Sequence, residues 1–233
     1  MAARSRARGA TTRRAVFALA AILIVSGLGY WGVGAYRNAQ MQKGVSALVS
    51  DSSRRLEAAL ALEAEAGSAS SPQTVGKLDE HAQEVDRHVI ELHDFGESRN
   101  RALVSAADEY MLTVRQILRQ QAASLRYRLQ VTASETALRE HMRTSGRRSA
   151  AWIDEAVRAK DRMERNFFDY RVSAEALERL LASYPSARKG IAAQIGVPLL
   201  PDEVVADARR RSSVNLKRIT TNVEQARQLA AVR

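Results

Sequence analysis

Residues Ala15 to Tyr36 read AVFALAAILIVSGLGYWGVGAY, an uninterrupted run without a single charge. As a helix rising ~1.5 Å per residue, that run reaches about 33 Å, enough to cross a hydrocarbon core of roughly 30 Å. Arg13 and Arg14 bound it on one side and Arg37 on the other. Tyr30, Trp31 and Tyr36 gather toward its second end, where amphipathic rings favour the headgroup layer. No later stretch resembles it. Residues 37–233 must therefore fold in water around a core of their own, and they are numerous enough to build one.

Charge orients the segment. The net charge is +10, and Arg4, Arg6, Arg8, Arg13 and Arg14 supply half of it before any acid appears. Basic residues beside a first span stay on the cytoplasmic side. We expect a basic cytoplasmic tail over 1–14, a transmembrane helix over 15–36 that engages the lipid bilayer, and an extracytoplasmic domain over 37–233. A bacterial inner membrane fits this pattern. The Arg-rich, acid-free start also fits a mitochondrial transit peptide, which makes the mitochondrial inner membrane the alternative. Val33-Gly34-Ala35 would serve as a signal-peptide exit, but the apolar run exceeds the 7–15 residues such peptides use. Thr12-Arg13-Arg14 suggests a twin-arginine signal, and the residues after it match one poorly.

Cysteine is absent, which excludes a disulfide frame, a thiolate zinc site and a cysteine nucleophile together. Only 5% of residues are aromatic. A palette of Ala, Leu, Arg, Glu and Gln builds long helices rather than sheets. The fold class expected is all-α, an elongated antiparallel helical bundle behind one membrane helix. Its helices are placed at about 37–66, 72–95, 98–145, 147–184, 186–195 and 201–232.

Apolar residues at three- and four-residue steps mark the inward faces. Val75, Leu78, Ala82, Val85, Val89 and Leu92 form one stripe. Val104, Ala107, Met111, Val114, Leu118, Ala122, Leu125 and Leu129 form the next. Ala156, Met163, Tyr170, Leu177 and Tyr184 recur every seven residues, a repeat that asks for left-handed packing against neighbouring helices. The last stripe runs from Val205 through Ala208, Ser212, Leu216, Ile219, Val223 and Ala226 to Ala230. Gly67, the Phe95-Gly96-Glu97-Ser98 stretch, Gly146 and Pro185 are read as interruptions. Ser71 before Pro72 reads as a helix cap.

One constellation suggests chemistry. His81, Glu84, His88 and Glu91 share an arc of about 80° on one helix, a spacing that suits a divalent cation. They also flank the Leu78-Val85-Leu92 stripe, where polar groups normally cover the edge of a core, and no second Glu-x-x-His segment completes a di-metal site. No metal and no cofactor is expected. The clusters Arg126/Arg128, Arg143/Arg147/Arg148 and Arg209-Arg210-Arg211 with Lys217 and Arg218 read as solvated faces interleaved with acids. Nucleic acid is not an expected partner, because stacking aromatics are missing and the domain is placed outside the cytoplasm. Trp152, Phe167, Phe168, Tyr170 and Tyr184 are expected to pack in the core. Gly27, Gly29, Gly32 and Gly34 would let a second membrane helix approach closely.

P-loop, G-x-S-x-G and H-E-x-x-H signatures are all missing, so no catalytic residue is assigned and no enzyme is expected. The function expected is that of a single-pass, non-catalytic scaffold or accessory subunit. Its partner would be an envelope protein or a second copy of itself. The alternative is a sensory or small-ligand-binding bundle that signals through a partner.

Overall fold

The fold was obtained as a computed structural model. It describes residues 5–66, 71–95, 100–144 and 149–231, with side chains from Ala35 onward, Ala66 apart. Five helices account for it: α1 (Ser5–Ala66), α2 (Pro72–Asp94), α3 (Arg101–Arg143), α4 (Ala150–Ala192) and α5 (Asp202–Ala231). Among the described residues there is no strand.

Three of the starts follow from local chemistry. Ser71 accepts a hydrogen bond from the Thr74 amide with Pro72 at the first turn, and Asn100 accepts from Leu103. Ser149 accepts from Trp152. In each case a short polar side chain satisfies an amide that the first turn leaves orphaned.

Cross-helix pairs set the order. Arg55 meets Glu84 and Ser52 meets His88, so α1 and α2 run antiparallel. Asp86 meets Arg115 and Arg119 while Asp79 meets Arg126, so α3 returns along α2. The chain thus reverses between α2 and α3, in keeping with the interruption read at Phe95; Gly96, Glu97 and Ser98 themselves lie outside the described residues. Gln120 bonds Ser173 and His141 bonds the Trp152 carbonyl, which lays α4 back along α3. Arg227 with Glu164, and Arg188 with Asp202, set α5 antiparallel to α4. Helix α3 touches every other helix and is the hub of the bundle.

Two apolar cores are stacked along this hub. The larger joins α1, α2, the first half of α3, the last part of α4 and the start of α5. The smaller joins the second half of α3 with the first half of α4 and the end of α5. At about 1.5 Å per residue, α3 and α4 each run ~65 Å and span both.

One expected helix boundary needs adjusting. Pro185 does not end a helix: α4 continues through it to Ala192, so the separate helices at 147–184 and 186–195 are one. The seven-residue repeat explains why. It goes on past the proline to Ile191, fully buried like Tyr184, and burying both on one continuous face outweighs one lost backbone hydrogen bond. Pro185 is itself exposed. Replacing it with alanine is expected to raise unfolding stability by about 2 kcal/mol, read as a higher urea midpoint.

Among the described residues, no helix is long and apolar enough to cross a membrane. The expected span at 15–36 falls almost wholly among residues whose side chains lie outside the described set, as do Gly27, Gly29, Gly32 and Gly34. Their backbone is helical and continuous with the rest of α1. Gly67, Gly146, Arg147 and Arg148 also lie outside the described residues. Gly44 has a structural reason to be glycine. A Cβ there would stand 2.6 Å from the Phe95 ring, which closes the α2 end against α1.

Candidate functional site

Of the four residues with metal-like spacing, Glu84 and His88 join one inter-helix seam, while His81 stands apart and Glu91 is exposed. His88 is buried between α1 and α2, its Nδ1 3.0 Å from Ser52 Oγ and its Nε2 3.3 Å from Asp51 Oδ2. Arg55 bonds the same Asp51 carboxylate at 2.8 Å and reaches Glu84 at 3.6 Å. Glu84 also holds Arg87 at 2.8 Å. His81 has a buried Nδ1 without a hydrogen-bond partner. Among the described residues, no group of three or more His, Asp or Glu is placed to hold a metal ion. The arrangement that does form is a polar seam: Asp51, Ser52 and Arg55 of α1 against Glu84 and His88 of α2. Ser52 and Asp51 went unmarked in the sequence because a seam between helices leaves no periodic signature on either one.

Ser, His and Asp in contact invite a nucleophile reading, and burial argues against it. Ser52 is 0% exposed, so no substrate carbonyl can approach its hydroxyl.

Burial pushes the His88 imidazole below its ordinary value of 6.5, Asp51 pulling the other way and Arg55 adding to the fall. His81 is lowered for the same leading reason. Below pH 6.5 the unfolded chain then binds more protons than the folded one. Stability is complete above that pH and declines as pH falls through it. Denaturation midpoints between about pH 8 and about pH 5.5 are expected to drop, and less steeply in His88→Gln.

A second polar node ties the connector 193–201 to the bundle. Tyr184 donates to the Leu200 carbonyl at 3.0 Å, and its hydroxyl lies 3.3 Å from that of Tyr110. The Leu200 amide donates to Ser53 Oγ at 2.8 Å. Four segments thus meet at one point, and burial raises both tyrosine hydroxyls above their ordinary value. Tyr170, buried in the smaller core, is pushed up to about 12 by burial.

The basic clusters divide. Arg126 faces outward to Asp79, whereas Arg128 is buried, 3.8 Å from Glu63 on α1. Arg210, Arg211 and Arg218 line an open groove of ≈ 570 Å³ together with Glu63 and Asp207. Arg210 is paired with Asp207 and Arg218 with Asn215. Of the three arginines only Arg210 pairs with an acid of the groove, because Glu63 is turned to Arg128 and Gln121.

Of the aromatics, Phe167, Tyr170 and Tyr184 pack inside, and Trp152 stacks on His141 at 4.8 Å. Phe168 departs from expectation and lies on the outer surface with Arg171 over its ring. Comparison with known proteins finds no matching family model, curated protein or solved structure.

Proposed function

We propose that this chain is a single-span protein of a bacterial inner membrane, anchored by residues 15–36. Its bundle works outside the cytoplasm as a non-catalytic interaction subunit for envelope proteins. One observation carries the reading: the uncharged run lies within a helix, Ser5–Ala66, that continues unbroken into the folded bundle. A helix emerging from a bilayer and then packing on α2 and α3 holds the domain at a fixed distance and direction from the membrane. The interior supports interaction over ligand storage. Aliphatic side chains and Met, with a few aromatic rings, fill both cores, and the buried polar groups at His88 and Tyr184 are spent on joining helices.

The chain has no cysteine, so single thiols report topology cleanly. With the outer membrane permeabilised, an impermeant maleimide is expected to label Gln225→Cys in intact cells. Ala3→Cys should react only after the inner membrane is broken. Carbonate should leave the protein in the membrane pellet. Labelling in the reverse order, or release by carbonate, defeats the proposal.

A further inference from the structure

The groove between the end of α1 and the middle of α5 holds two arginines that make no ion pair among the described residues. Asp207 is bonded by Arg210, with Arg211 a more distant charge, and Glu63 is turned to Arg128 and Gln121. Arg211 buries its Nε without a hydrogen-bond partner, and Arg218 has one bond, 3.4 Å long, to Asn215 Oδ1. The register set by Arg188–Asp202 and Arg227–Glu164 brings Glu178 of α4 opposite this turn, yet it pairs with neither arginine. Buried donors in native folds are satisfied by protein, water or a bound ion. An orphaned guanidinium nitrogen beside an open groove therefore asks for an acceptor from outside.

We propose that this groove binds a phosphomonoester, with Arg211 and Arg218 gripping the phosphate and Val214 receiving the organic body. The two arginines stand on one face of α5, ~10.5 Å apart along its axis, so a group seated between them is within reach of both long side chains. Two guanidinium forks match the charge of a phosphomonoester, about −1.5 to −2 at pH 7, and its acceptor oxygens. A carboxylate brings a single charge and satisfies one fork. Val214, between the two, is 63% exposed, an apolar wall that a bare ion would leave in water. The groove volume of ≈ 570 Å³ falls within the roughly 300–1,000 Å³ of small-molecule sites.

The inference goes beyond the anchored-subunit reading and stands without it. On that reading the groove lies ~40 Å along α1 from Tyr36, so the headgroups of the chain's own bilayer are out of reach.

Calorimetric titration of the full chain in detergent and phosphate-free buffer, at about 0.15 M salt, tests the proposal with phenyl phosphate as the probe. Saturable binding is expected, several-fold tighter than that of inorganic phosphate or benzoate. Arg211→Gln and Arg218→Gln should each weaken it by about tenfold, the loss of one charged hydrogen-bonding partner. Arg218 is exposed, so its replacement does not burden folding. Lys217→Gln removes the same charge one residue away, outside the groove, and should leave the affinity within about twofold. No saturable binding, inorganic phosphate or benzoate binding as tightly, or an equal loss in Lys217→Gln overturns the proposal.

Discussion

Tyr184→Ala is expected to lower unfolding stability by roughly 3–5 kcal/mol, the range for removing a fully buried aromatic side chain. Tyr184 has no exposed surface, packs its ring 5.9 Å from that of Tyr110, and belongs to the larger core. The loss has two parts that a second variant separates. Tyr184→Phe keeps the ring but leaves the Leu200 carbonyl and the Tyr110 hydroxyl without their partner. That change should cost about 1–2 kcal/mol. Equal losses in the two variants would mean that the hydroxyl, and not the ring, holds the connector. Chemical denaturation of both, side by side, decides it.

Glu63→Ala is the second large effect, expected at roughly 3 kcal/mol. The Glu63 carboxylate lies 3.8 Å from the Arg128 guanidinium, and both side chains are largely buried. Gln121 donates to the same carboxylate at 2.8 Å and to the Ala59 carbonyl at 3.3 Å. Removing the acid leaves a buried guanidinium without that counter-charge. A long contact between two desolvated ions contributes little net stability, so the cost lies in breaking the pair rather than in lacking it. Glu63→Leu with Arg128→Met should therefore regain most of the loss. If the double variant is as unstable as the sum of the singles, the two side chains are not coupled and each stabilises the fold on its own.

The helical faces were legible because periodicity is a property of a single strand of sequence. All six residues of the α2 stripe are buried, and so are Ala107, Met111, Val114, Leu118, Ala122 and Leu125 on α3. What escaped are features set by pairing between helices. Helix α3 buries Tyr110, Ile117, Gln121 and Arg128 beyond its main stripe because it touches four neighbours, and one stripe cannot announce that. Arg128 reads as surface in a basic cluster until Glu63 is brought to it from α1. Pro185 reads as a stop because its local cost is visible, while the gain from burying Ile191 lies in another part of the fold. Phe168 was assigned inward with its neighbour Phe167, yet 100° of helical rotation is enough to turn one of two adjacent rings to the surface. His81, Glu84, His88 and Glu91 share an arc as spacing requires, but Asp51, Ser52 and Arg55 recruit two of them into a helix-joining seam.

The anchored-subunit reading is tested most directly by crosslinking in the native membrane, using the full chain with a C-terminal tag and photoreactive residues on the exposed faces of α4 and α5. Reproducible capture of an envelope protein through residues 150–233 is expected, identified by mass spectrometry and lost when the photoreactive positions are moved into the cores. Capture of nothing beyond a second copy would contradict the subunit reading.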